Sequence, residues 1–212
     1  MKLVWSPETA SKAYIDTVKS ISTMQCEVSH ESSLAELISA MAAGWNAKVV
    51  VETWSRGGVV ETSIGLAVAT HHSGGRHICV VPDKESMAEY KDAMVQSGRV
   101  ADEVIVEGAM EGLEGIDFLV VDCRRDEFAR MIRAAKFGER GAVLICKNAT
   151  SDLSWRGVLR RESRVMRSVF LPIGDGVGIA HVGGTSAGTK RRSRWIKGID
   201  QKSGEEVIFR NL

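Results

Sequence analysis

A short apolar, β-branched run, Ala47-Lys48-Val49-Val50-Val51, ends in an acid, Glu52, and continues as Thr53-Trp54-Ser55-Arg56-Gly57-Gly58. A helical pattern follows over residues 60–72. A strand ending in an acid, a glycine-bearing turn and a helix make the first unit of an α/β nucleotide-type site, because turn glycines let a ligand approach the backbone closely. Other polar residues also stand where apolar runs stop: Asp83 just after Pro82, Asp122 after Phe118-Leu119-Val120-Val121, and Lys147-Asn148 after the run 141–146. Ligands of open α/β sheets bind beyond such carboxyl ends. Further chemistry is thinly signalled. His71 and His72 are neighbours at a helix end, so they do not share a face, and no acid or cysteine is near at ligand spacing. They suit the negative end of the helix dipole better than a metal. Gly57-Gly58 alone is no dinucleotide fingerprint. There is no serine elbow, no pair of catalytic acids and no zinc spacing.

The elements that must position these residues alternate. Ser6-Pro7-Glu8 is a helix start, with a capping hydroxyl and proline at the first helical position. That helix is expected to run to about residue 21. A second begins at Ser32 or Ser33, carries Leu34, Leu37, Ile38 and Met41 at helical spacing, and closes at Ala43-Gly44. Strands are expected over 47–53, 76–81, 103–106, 116–121 and 141–146. Helices follow the first, second, fourth and fifth of them, starting near residues 60, 83, 126 and 151, the last reaching 161. Two final strands, 165–171 and 177–182, have only Pro172-Ile173-Gly174-Asp175-Gly176 between them. That is too short for a crossover, so this pair must be antiparallel. The fold class is α/β: a Rossmann-like, doubly wound seven-stranded sheet with a terminal antiparallel hairpin.

Composition bounds the rest. The 212 residues suit one domain with a full core. Residues 1–183 read as that domain, with 1–46 as leading helices, and 184–212 as a flexible basic tail that carries Lys190-Arg191-Arg192-Ser193-Arg194-Trp195-Ile196-Lys197 and a short strand at 206–209. The net charge of +1 implies no nucleic-acid or membrane partner for the chain as a whole. Cys26, Cys79, Cys123 and Cys146 lie far apart, as buried free thiols of a reducing compartment do. No bilayer-spanning run and no signal-peptide pattern is present, so a cytoplasmic or nuclear location is expected.

Three segments carry a resemblance: Val50-Val51-Glu52 through Gly58, Phe118-Leu119-Val120-Val121-Asp122 through Phe128, and Leu171-Pro172-Ile173-Gly174-Asp175-Gly176-Val177. The layout is similar to S-adenosylmethionine-dependent methyltransferases. It looks most like the catechol and caffeoyl-coenzyme A O-methyltransferase type, and closer still like a plant family of methyltransferase-like proteins of unknown function. The resemblance implies that Glu52, Thr53, Trp54, Gly58, Asp83 and Asp122 border the cofactor, S-adenosylmethionine, and that Asp122, Lys147 and Asn148 face the acceptor. It also exposes departures. Trp54 stands where the family has its first loop glycine, so the indole either fills the cofactor space or forms a wall beside it. Val59 and Val60 replace an aromatic and a hydroxyl. Pro82 takes the position of the ribose-binding acid and puts Asp83 one residue late, where a helix N-cap competes with a ribose contact. Ala109 stands where the family often has an acid near the adenine.

In the resembled enzymes two aspartates and an asparagine hold a divalent ion. Asp122 and Asn148 match, but Lys147 replaces the second aspartate, and an ammonium offers a hard cation no oxygen. No metal is therefore expected. Lys147 has three readings: an ion pair with Asp122, a general base, or a strand-end lysine reaching solvent. The function stays divided between a divergent methyltransferase of unknown small-molecule acceptor and a non-catalytic binding or scaffold protein that kept the fold, with binding of another nucleotide in the same crevice as a third reading. Nucleic acid would enter only through the basic tail, and pairing as a homodimer is implied by the resembled plant-type enzymes.

Overall fold

The structure is a computed structural model, and it describes residues 5–23, 32–99, 102–161, 163–184, 195–199 and 206–210. Helix α1 (Pro7–Ser22) begins as its sequence requires: the Thr9 N–H donates to the Ser6 hydroxyl, and proline fills the first turn. The Ser6 N–H bonds the Gly44 carbonyl and ties this start to the end of α2 (Ser32–Gly44). Strand β1 (Val49–Thr53) leads into α3 (Glu61–Ser73), which closes on Gly74 in the left-handed conformation. Then come β2 (Arg76–Val81), α4 (Lys84–Gln96), β3 (Glu103–Val106) and a 3-10 turn (Glu107–Gly112). The chain continues through β4 (Phe118–Asp122), α5 (Phe128–Ala134), β5 (Ala142–Lys147), the short α6 (Trp155–Val158), β6 (Val165–Leu171) and β7 (Val177–Val182).

Seven strands form one sheet in the order β3-β2-β1-β4-β5-β7-β6. The first five are mutually parallel, and β7 runs antiparallel to both β5 and β6. The order reverses between β1 and β4, which puts the switch point at their carboxyl ends, where ligands of such sheets bind. One face packs Val50, Phe118, Val120, Val143 and Ile145 against the leading helices and α3. There α2 and α3 approach so closely that a Cβ on Gly65 would come 2.6 Å from the Ala35 carbonyl oxygen. The other face packs Val51, Leu119, Val121 and Leu144 against α5, α6 and the 3-10 turn.

Two expectations are corrected. The helix expected over 151–161 is only Trp155–Val158, because residues 150–153 form a turn, the Leu153 N–H bonding the Thr150 carbonyl, and Gly157 weakens the helix that remains. The helix expected from Asp126 starts at Phe128, since the preceding residues turn on i→i+3 bonds from Arg125 to Asp122 and from Phe128 to Arg125. In the basic tail, β8 (Trp195–Ile199) and β9 (Glu206–Arg210) pair antiparallel as a separate two-stranded sheet. Gly184 ends the described part of the glycine-rich linker, and 185–194 lie outside the described residues, as does Cys26. Among the described residues no helix is long and apolar enough to cross a membrane.

Candidate functional site

The register of the sheet decides which strand-end side chains meet. Glu52 follows Val50 by two residues, Asp122 follows Val120, and Lys147 follows Ile145, so all three lie on the face that carries α3. Asp122 and Lys147 are direct cross-strand neighbours. The candidate residues at the ends of β1, β4 and β5 therefore converge at the switch point.

On the β1 side the acid is enclosed. Glu52 is 3% exposed, the Tyr90 hydroxyl of α4 donates to its Oε1 at 3.0 Å, and His77 Nε2 of β2 lies 3.0 Å from the same oxygen. Despite this contact His77 Nε2 makes no well-aligned hydrogen bond among the described residues. Burial pushes the Glu52 carboxyl up, but His77, the Ser63 hydroxyl and Lys147 outweigh it and hold the group below the ordinary glutamate value. The same burial, with the Glu52 charge beside them, pushes the Tyr90 phenol and the Cys79 thiol up. Sequence reasoning missed His77, Tyr90 and Ser63. His77 and Tyr90 meet Glu52 from β2 and α4, while Ser63 stands near it on α3, and the one local signal is Tyr90 on the inner face of its helix.

Trp54 folds inward from the loop after β1. The indole is 5% exposed and packs among Ile64, Cys79, Val81 and Tyr90, its ring centroid 5.3 Å from that of Tyr90. Its Nε1 donates to the Val59 carbonyl at 3.3 Å, closing the loop on itself. A Cβ on Gly58 would sit 2.8 Å from the Ser55 oxygen and 3.0 Å from Trp54 Nε1, so the glycine and the indole fit each other. Thr53 is buried in β1 and pairs in register with Val80. Gly57 has φ +71 with open space around it, and its N–H donates to Glu89 Oε1 at 2.8 Å. Asp83 is the N-cap of α4: its carboxylate accepts the Ser86 N–H at 2.7 Å, which holds its pKa down.

On the β4 and β5 side the groups are half-exposed. Asp122 Oδ1 accepts the Asn148 Nδ2–H at 2.8 Å and the Arg124 N–H at 2.9 Å. Asn148 reaches it from a left-handed backbone, φ +54. Lys147 Nζ donates to Thr62 Oγ1 at 3.3 Å, in the first turn of α3. The charged turn after β4 has work that its sequence did not announce. Arg125 Nη1 donates to the Trp54 carbonyl at 3.1 Å across the switch point, and Arg124 pairs with Asp175 of the β6–β7 turn at 2.7 Å.

Residues outside the site find structural partners. His72 Nε2 lies 2.9 Å from Asp16 Oδ2 and links α3 to α1. Asp117, at the amino end of β4, accepts the Lys48 N–H at 2.8 Å and pairs with Arg140 at 3.2 Å. Among the described residues no cluster of three or more metal-ligating side chains forms.

The structure is similar to that of the S-adenosylhomocysteine-bound methyltransferase PaMTH1 of Podospora anserina, at 12% identity over 86% of this chain and 90% of that one, with a TM-score of 0.53. It is also similar to TrmN from Thermus thermophilus, at 10% identity over 71% of this chain and 48% of that one, with a TM-score of 0.51. This chain thus spans about half the length of the Thermus protein. At such identities the likeness is one of fold: the seven-stranded α/β sheet is that of methyltransferases. No curated protein matches the sequence. Residues 1–211 match the family described as "Protein of unknown function (DUF1442)", and the chain belongs to that family.

Proposed function

We propose that this protein is a divergent S-adenosylmethionine-dependent methyltransferase acting on a small-molecule acceptor. The observation that carries the reading is the convergence of Glu52, Asp122, Lys147 and Asn148 at the switch point of a sheet with this strand order. The motif at 171–177 supports the finer likeness to the catechol and caffeoyl-coenzyme A type and to its plant methyltransferase-like relatives. Three features support a cofactor at this place. Gly57 turns with open space around it, Asp83 is exposed beyond β2, and Asp122 is half-exposed beyond β4. Gly58, Asp83 and Asp122 would border the ligand, while Glu52 acts from beneath as a fixed charge. S-adenosylmethionine bound there would supply an electrophilic methyl group. Lys147 brings a cation to the acceptor side, where it stabilises an acceptor oxygen as that oxygen loses its proton, and Asn148 fixes Asp122 beside it. The donor set does not fit a divalent ion. Asp122 already accepts from Asn148 and Arg124, and Lys147 stands where the third oxygen donor would be.

One observation favours the second reading, a non-catalytic protein that kept the fold: the Trp54 indole and the Glu52 carboxylate are both committed inward. Thermal melts with S-adenosylhomocysteine separate the two. A ligand at 100 times its Kd adds about 2.7 kcal/mol of stability, a shift of several degrees. A Tm that stays fixed up to millimolar ligand contradicts the transferase and leaves the scaffold.

A further inference from the structure

The arginines of this chain are unevenly placed. Overall the charges balance, 28 basic against 27 acidic, yet residues 156–167 hold five arginines and one acid, Glu162. Arg156 lies in α6, Arg160 and Arg161 follow it, Arg164 precedes β6 and Arg167 lies in that strand. Helix, loop and strand enclose a recess of about 740 Å³ on the outer edge of the sheet, and all five arginines line it. Among the described residues no acid and no lysine lines this recess, and Arg156, Arg161, Arg164 and Arg167 form no ion pair. Arg160 is held by its Nε–H on the Arg133 carbonyl. All five side chains belong to exposed residues.

We propose that this recess binds single-stranded nucleic acid. The inference does not rest on the methyltransferase reading, and its test does not involve the switch point. Crowding guanidinium groups of one sign is unfavourable until a polyanion covers them. Arginine presents a planar fork of donors that grips phosphate two-fold, and the exclusive use of arginine here points to phosphate oxygens rather than to diffuse charge. The recess is also partly apolar. Leu153, Leu159 and Val165 line it, and Met166 is 56% exposed beside them. Farther along β6, on the same side as Ser168, Phe170 is 37% exposed. A basic groove bordered by exposed apolar and aromatic side chains suits a strand whose phosphates meet arginine while its bases meet apolar surface. At about 3.3 Å per residue, β6 is long enough to carry several nucleotides, more than one free nucleotide needs. An acidic peptide adding to this edge is disfavoured, because the register shift between Val165 and Arg167 interrupts the main-chain ladder.

Fluorescence anisotropy with a labelled 15-nucleotide oligouridylate tests this on the full chain, between 50 and 200 mM salt. Binding is expected, with a log–log salt slope of about −3.5 if five phosphates are neutralised at about 0.7 each. The variant R156Q/R161Q is expected to weaken binding at least tenfold and to make the slope shallower, with an unchanged circular dichroism spectrum. Replacing Lys190, Arg191, Arg192 and Arg194 with glutamine is expected to leave most of the binding in place. The proposal is overturned if R156Q/R161Q binds like wild type. It is equally overturned if the tail variant alone abolishes binding, or if adenosine triphosphate or polyglutamate competes as well as unlabelled oligouridylate at equal concentration.

Discussion

Glu52 and Asp122 are acids near the carboxyl ends of neighbouring parallel strands on either side of the switch point, Glu52 level with Val120 and Asp122 two residues farther along. Their surroundings differ. Glu52 is enclosed by Tyr90, His77 and the Trp54 loop, whereas Asp122 is half-exposed and is steadied by one side-chain amide and one backbone N–H. The first is built into the fold, and the second stays half-exposed at the end of its strand. The difference follows from what covers each strand end. α4 and α3 bring a phenol, a hydroxyl and apolar side chains over β1, while the turn after β4 brings arginines that reach sideways to Trp54 and Asp175.

Removing the enclosed acid should have the largest effect. E52A leaves Tyr90 and His77 buried without their partner, a class of change that costs about 3–5 kcal/mol. Urea denaturation measures it, and a loss below 1 kcal/mol would mean that Glu52 is not part of the fold's support. The sign of the pH effect follows from the lowered carboxyl. Its stabilisation is fully present above the ordinary glutamate value of 4.5 and is lost as the pH falls through the lower folded value. E52Q should therefore flatten the acid limb of a stability–pH curve, and an unchanged limb would contradict the lowered value.

Smaller effects sharpen the comparison. G58A drives a methyl against the Ser55 oxygen and the Trp54 ring, so a cost of about 1–3 kcal/mol is expected from overpacking. Calorimetric melting that shows no cost would mean that the loop is loose. D83A removes a helix N-cap and should cost about 1 kcal/mol. D122N should change stability least, within about 0.5 kcal/mol as for half-exposed positions, while weakening any ligand at the switch point. A stability loss as large as that of E52A would erase the distinction between the two acids.

The strand ranges 76–81, 103–106, 165–171 and 177–182 are legible in the sequence because apolar runs there are bounded by proline, glycine or charge. The antiparallel end of the sheet is legible from the length of one turn. The 3-10 turn at Glu107–Gly112 is not, since three-residue hydrogen bonding leaves no hydrophobic period. The site is half legible. Glu52, Asp122, Lys147 and Asn148 stand where strands end, and strand ends can be read. What each acid touches is set across the sheet: His77 and Tyr90 lie 25 and 38 residues beyond Glu52, and Arg125 lies 71 beyond Trp54. No local pattern encodes such distances. Asp83 shows the same limit from the other side. Its capping role is local and was readable, whereas a ribose contact would depend on a neighbour in space.

The most direct test is calorimetric titration of the folded chain with S-adenosylmethionine, beside D122N. Saturable heat from the wild-type chain, with affinity reduced at least tenfold in a D122N protein of unchanged Tm, is the result expected if the β4 side presents its acid to a ligand. No heat up to millimolar S-adenosylmethionine, from a protein shown to be folded, would contradict it.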